Sequence, residues 1–262
     1  MLESSRNAKT VSRSHFLTPA LALSWLAGTL GSAAGAAADF GSFSLGGSLA
    51  LTSDYIYRGL SESNDHLAPQ VDLHVDDSSG DFLGVWSSTR DQHFDPYANY
   101  DLELYLGHHF DFNGSWGATL SGRSHYYLGG SQETSADYQE LAATVTYLDR
   151  WSLSLTAIPN AVRYWYGYRL SRNPAYVADS SLQWLIGSGW FVTGGAGYYY
   201  VTGTGPGIES SGGYLYGNAG VAFEFRGWRF DLGYFLTQNH ARELFPYPIA
   251  NEHFAGTVAW RF

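Results

Sequence analysis

The sequence predicts an all-β protein: a single transmembrane antiparallel up-and-down β-barrel of about twelve strands. Three observations predict it. Apolar and polar residues alternate with period two over long stretches. Short and long connections between those stretches alternate along the chain. The last stretch is amphipathic and ends in an aromatic residue, Phe262. A strand sends successive side chains to opposite faces, so a sustained period of two marks a sheet lying between two different media.

Composition supports this class and removes others. Aromatic residues make up 17% of the 262 residues, charged residues only 15%, and there are 31 glycines. That is a β composition, unlike a coiled coil or a disordered chain. A mean hydropathy of -0.19 does not fit a bundle of membrane helices. The absence of cysteine removes a disulfide framework, Cys-ligated zinc and thiol catalysis.

The first 38 residues stand apart. Arg6, Lys9 and Arg13 form a basic start, Phe16 to Leu30 is mostly apolar, and a small-residue stretch ends at Ala36-Ala37-Ala38. This is the layout of a secretory signal peptide, with cleavage expected after Ala38. The apolar run is short for a membrane span of ~20 residues. The remaining domain, 39–262, is expected in the bacterial outer membrane. Without Glu3 and the three basic residues of the leader, the 14 basic and 24 acidic residues become 11 and 23. Such an acidic chain is not expected to bind nucleic acid, which wants a basic face.

The clearest strand is Tyr100 to Phe112. Tyr100, Leu102, Leu104, Leu106, Phe110 and Phe112 share one face, opposite Asp101, Glu103, Gly107 and Asp111. The same alternation sets Phe43, Leu45, Leu49, Leu51, Tyr55 and Tyr57 against small and polar neighbours. It recurs from Trp116 to Leu128 and from Trp228 to Leu236. Twelve segments follow, at roughly 41–58, 69–76, 81–90, 98–111, 115–128, 137–148, 151–168, 176–187, 189–202, 213–226, 227–239 and 251–262. The seventh and eighth are the least regular, because Pro159 and Pro174 interrupt the pattern.

The connections at 76–80, 111–115, 149–150, 187–189 and 226–227 are short and rich in Gly, Asp, Asn or Ser, as tight hairpins require. Those at 59–68, 91–97, 129–136, 203–212 and 240–250 are longer. A closed meander then has all its short turns at the periplasmic end and its long loops outside. In the final strand Phe254, Val258, Trp260 and Phe262 share one face. They resemble the C-terminal signal read by the outer-membrane assembly machinery. Tyr55, Tyr57, Trp116, Tyr126, Tyr147, Trp151, Trp190, Tyr214, Trp228 and Trp260 are expected in aromatic girdles at the membrane interfaces.

If the apolar face meets lipid, the other face lines the lumen. Asp54, Asp72, His74, Asp101, Glu103, Glu140, Asp179, Glu224 and Asp231 fall there, against Arg58, Arg90, Arg123 and Arg229. Two arrangements satisfy this pattern. The charges line a hydrated pore with weak cation preference, or they pair into a network that fills a closed barrel.

The stretch Leu49-Ala50-Leu51-Thr52-Ser53-Asp54-Tyr55-Ile56-Tyr57-Arg58-Gly59-Leu60-Ser61-Glu62-Ser63 resembles the first strand and loop of the TorF family of porins. Gly84-Val85-Trp86-Ser87-Ser88 and Leu102-Glu103-Leu104-Tyr105-Leu106-Gly107 are similar to its next strands. The resemblance covers roughly 49–148 and is only architectural beyond. It implies an outer-membrane barrel that serves as a pore; the narrow bore that twelve strands enclose suits passive diffusion of small solutes. It carries over no catalytic or ligand residue.

The expected partners are the lipid bilayer with its lipopolysaccharide, the assembly machinery and small solutes. No cofactor or metal is expected. A non-conducting structural or adhesive barrel is the alternative, with Gly203 to Gly213 and Gln132 to Ser135 as its loops. An outer-membrane hydrolase is a further one, and needs a nucleophile and base in convergence. Its candidates are His125 beside Ser124, His74 with Asp72, and the group Asp91, His93 and Asp95. Ser124 and His125 are adjacent, so a strand points them apart. His108 and His109 are separated in the same way.

Overall fold

A computed structural model describes residues 38–91, 98–130, 136–164, 170–203, 210–245 and 250–262. The expected leader up to residue 37, His93, Asp95, Gln132 to Ser135 and residues 204–209 lie outside the described residues.

Twelve antiparallel strands close into a barrel. They are β1 (Phe43–Thr52), β2 (Ala68–Asp77), β3 (Asp81–Thr89), β4 (Ala98–Asp111), β5 (Trp116–Gly129) and β6 (Tyr138–Tyr147). They continue as β7 (Trp151–Tyr164), β8 (Leu170–Gly187), β9 (Trp190–Val201), β10 (Gly212–Phe225), β11 (Trp228–Thr237) and β12 (His253–Arg261). Each strand pairs with its sequence neighbours, and β12 returns to β1 from Thr257↔Thr52 to Arg261↔Ser48. Reciprocal bonds between Gly47 and Phe262, both 3.0 Å, carry the seam to the last residue. A short strand, Ala38–Phe40, folds back on the start of β1.

The turns follow from local chemistry. The chain reverses at Arg226-Gly227, where φ is 50° and 85°. Both central residues of a type I′ turn need positive φ, and this turn matches the twist of the paired strands. Short links join β2 to β3, β4 to β5, β6 to β7, β8 to β9 and β10 to β11, all at one end. The longer connections occupy the other end. The sequence pattern placed these short turns within a residue or two, because turn residues are chosen by backbone geometry alone.

The outer face is apolar around the whole circumference. Every strand contributes exposed large hydrophobic residues, among them Leu49, Leu73, Leu83, Leu106, Leu120, Leu141, Leu155, Trp184, Val192, Val221, Leu232 and Phe254. A water-soluble monomer rarely exposes more than a few hundred Å² of contiguous apolar surface. Trp116, Tyr147, Trp190, Trp228 and Trp260 ring the turn end of this face. The Trp116 and Tyr147 rings lie 4.6 Å apart across β5 and β6.

Three expectations need correction. First, β1 stops at Thr52 rather than running to 58. Tyr55 and Tyr57 therefore leave the wall and turn inward, at 2% and 7% exposure, as does Tyr214 at 1%. None of the three belongs to a girdle. Second, β8 begins at Leu170, not 176, and β7 ends at Tyr164. Pro159 and Pro174 sit in one irregularity, between the pairs Ile158↔Ala175 and Ala161↔Asn173. No ladder N–H is needed there, so both prolines are tolerated. Third, the interior is not lined by polar groups alone. Phe82, Trp86, Tyr105, Tyr138, Tyr199 and Tyr216 point inside and are buried.

The apolar outer wall gives a test. Leu106 is 65% exposed on β4. On a soluble protein Leu106→Arg is close to neutral. In a bilayer it is expected to destabilise the fold by ~2–4 kcal/mol if the site lies near mid-membrane. Equilibrium unfolding from phospholipid vesicles measures the difference.

Candidate functional site

The interior is organised by a segment that the wall does not use. After β1 the chain enters the barrel as a small hairpin, pairing Ile56 with Ser61 and Tyr57 with Leu60. Its tip is Arg58-Gly59, with φ of 51° and 79°. Gly59 is required for two reasons: the left-handed backbone, and the lack of room for a Cβ between Thr237 and Tyr216. Its carbonyl accepts a hydrogen bond from the Thr237 hydroxyl on β11. The Arg58 carbonyl accepts one from Tyr214 on β10, at 3.1 Å.

Asp54 fastens the base of this hairpin. Its Oδ1 accepts from Ser61 Oγ at 2.6 Å and Ser63 Oγ at 2.9 Å. Its Oδ2 lies 3.2 Å from His253 Nδ1 on β12. Ser63 Oγ also receives the Tyr55 amide at 2.8 Å. One carboxylate thus ties both arms of the hairpin to each other and to the wall.

The hairpin spans the bore. Its backbone tip rests on β10 and β11, while the Arg58 side chain reaches β6. There Nη1 and Nη2 donate to the two oxygens of Glu140 at 2.8 and 3.0 Å. Such a fork-to-fork pair is the strong geometry for a buried guanidinium. Tyr57 Oη adds a bond to Glu140 at 3.0 Å. Around this pair the wall supplies Asp101, Glu103, Arg123 and His125. Arg123 lies 3.1 Å from Glu103. His125 Nδ1 is 3.4 Å from both Asp101 and Glu103, and its Nε2 is 3.7 Å from Glu140. The His125 ring stacks on Tyr138 at 4.2 Å and 12°. Cross-strand register produces the group: Glu103 faces His125, and Arg123 faces Glu140.

The other predicted lumen residues form separate clusters. Asp72 accepts from Tyr105 Oη at 2.6 Å and lies 2.6 Å from His74 Nδ1. Arg229 binds Asp231 at 2.8 Å and Glu224 at 2.6 Å near the turn end. All thirteen residues therefore lie inside the barrel, but only Arg58, Asp101, Glu103, Arg123 and Glu140 come together. Asp179 is held by the Tyr216 hydroxyl, and Arg90 by Glu62.

Glycine and tyrosine cooperate in this packing. The Tyr105 ring passes over Gly84 to reach Asp72, and the Tyr216 ring passes over Gly197 to reach Asp179. A Cβ at either glycine would overlap the phenol. Each pair spans three strands, so the tyrosines brace the wall from within. Composition shows the abundance of both residue types but not this partnership, which depends on register.

The hairpin is the floor of a pocket of about 880 Å³ that includes its open mouth toward the loop end. Leu60, Ile158, Val162, Tyr199, Tyr214 and Phe245 form most of its apolar wall. Sequence reasoning missed this pocket, since four of its wall residues lie in or beside irregular segments.

Two groupings carry metal-ligand types: Asp54, Asp65 and His253, and Asp101, Glu103 and His125. In both, the same side chains already face cationic or imidazole partners, so we assign no metal. Ser124 points away from His125, which turns into the lumen.

The Arg58–Glu140 pair gives a test. Removing one partner leaves a buried charge uncompensated, a loss of ~3–5 kcal/mol. Arg58→Ala is expected to destabilise the barrel by about that amount, and Arg58→Met with Glu140→Leu by much less. Chemical unfolding in detergent, read as a double-mutant cycle, measures both.

The fold is similar to that of the NanC porin, at 10% identity with a TM-score of 0.53, covering 82% of this chain and 97% of that one. The KdgM porin gives a weaker likeness, also at 10% identity, with a TM-score of 0.47 over 83% of this chain and 98% of that one. At such identity the likeness to NanC is one of fold. No curated protein matches the sequence. Residues 34–242 match the family described as "Bacterial protein of unknown function (Gcw_chp)", and the chain belongs to that family.

Proposed function

We propose that this protein is an outer-membrane channel for passive diffusion of small solutes, narrowed by its luminal hairpin. The observation that carries the reading is the division of the closed sheet: lipid-compatible side chains on every strand outside, charged and aromatic groups inside. The shared fold with a porin supports it. The TorF resemblance also supports it, and its longest stretch, Leu49 to Ser63, contains the hairpin.

Under this reading residues 1–38 are a leader removed on export. The short turns face the periplasm, and the exposed face of Phe254, Val258 and Trp260 together with the terminal Phe262 presents the assembly signal. Lipopolysaccharide then contacts the outer leaflet end of the wall. Acidic groups outnumber arginines among the luminal charges, which favours cations at low ionic strength. Arg58, Arg123 and Glu140 set the constriction. A structural or adhesive barrel without conduction is the second reading, and the paired charges and the hairpin that fill much of the interior favour it.

Planar-bilayer recording tests the proposal. The wild-type protein is expected to give small conductance steps with a reversal potential of cation sign in a KCl gradient. Replacing Tyr55–Ser63 by a flexible Gly-Ser linker is expected to raise the step size several-fold. Absence of steps from both proteins overturns the channel, and equal steps from both overturn the role of the hairpin.

A further inference from the structure

The pocket above the hairpin has a chemistry of its own. Buried apolar residues form much of its wall, and Arg58, Glu62, Arg90 and Asp91 border it. Leu60, Ile158 and Val162 supply aliphatic surface at 6%, 1% and 8% exposure. Tyr199, Tyr214 and Phe245 supply aromatic surface: the two tyrosines stack at 5.5 Å, and Phe245 meets both edge-on at 5.7 and 6.0 Å. These rings brace one another, so the wall is preformed.

The charges bordering the pocket are compensated. Arg58 is held by Glu140 and Arg90 by Glu62. With Asp91 the border holds two cationic and two anionic side chains, so it has no net charge to draw an ion of either sign out of water. An apolar ring gains from the same burial. The pocket also offers a polar handle. Tyr138 and Tyr199 both line the space and bring phenol groups to it.

We infer that this pocket binds an uncharged ring compound with an apolar body and one or two hydroxyl groups, held against the hairpin on the loop side of the constriction. The inference deepens the channel reading and rests on it for access and passage. Binding itself is measured without conduction. The apolar pocket lies on the loop side of the charge-lined constriction, so a solute arriving from that side meets the pocket first.

The test uses the full barrel in lipid nanodiscs and 2-naphthol as the probe, by isothermal titration calorimetry against empty nanodiscs. The expected result is a saturable one-to-one component that empty discs lack. Tyr199→Phe, which removes one hydroxyl and keeps the ring, should weaken it several-fold. Ala161→Phe, which fills the space, should weaken it at least tenfold. Tyr199→Phe keeps the test valid if the larger substitution disturbs folding. Glucuronate, a charged ring compound, should give no saturable signal. Absence of the 2-naphthol component in the wild type overturns the inference. So does indifference to both substitutions, or saturable binding of glucuronate alone. A protein that conducts but does not bind 2-naphthol sinks this inference and leaves the channel. One that binds it but never conducts, even without the hairpin, does the reverse.

Discussion

Backbone hydrogen bonding in a medium without water is the constraint on which the rest depends. In hydrocarbon an unpaired N–H or C=O costs several kcal/mol, so a sheet that crosses a bilayer must have no edge. The seam between β1 and β12 removes it. Five register pairs from Thr52↔Thr257 to Ser48↔Arg261 are extended by the mutual bonds of Gly47 and Phe262. The Thr52 and Thr257 hydroxyls add a side-chain bond of 2.9 Å across the same seam. Gly47 is small enough for the Phe262 ring to lie against it, so the last aromatic residue both ends the chain and seals the wall.

Closure creates a second problem, an interior that must be filled or hydrated. Here it is largely filled. The hairpin enters from the β1–β2 connection and presents Arg58 to Glu140, while its tip docks on β10 and β11. Buried charges are tolerated only when paired, and the register of β4, β5 and β6 supplies the pairs. Tyrosines that reach across glycine to a carboxylate brace the remaining wall. Specificity of the interior thus comes from polar pairing, while stability of the exterior comes from the match between apolar side chains and lipid.

The exterior was readable from the sequence because two solvents impose a two-residue code on each strand. Leu102 to Phe110 shows it plainly, as do Trp228 to Leu236 and the terminal strand. The short turns were readable because Arg226-Gly227 and Gly187 to Gly189 meet local backbone demands. The hairpin was not. Alternation resumes after Gly47 and again after Ser53, so Tyr55 and Tyr57 looked like lipid-facing residues of the same strand. The signal that they turn inward was Gly59, a glycine that permits a tight reversal directly after them. Which luminal charges would meet was also hidden. Asp54 and His253, or Arg58 and Glu140, are distant in sequence and are joined only by loop path and register.

The most direct test of the account is the environment of alternate residues along one strand. The chain has no cysteine, so single substitutions such as Leu104→Cys, Leu106→Cys, Gly107→Cys, His109→Cys and Phe110→Cys can each carry a nitroxide label in phospholipid vesicles. The account predicts that positions 104, 106 and 110 collide preferentially with dissolved oxygen and are shielded from an aqueous nickel chelate. Positions 107 and 109 should not share that lipid signature. Free access of the chelate to the outward positions, or loss of the two-residue alternation, would contradict it.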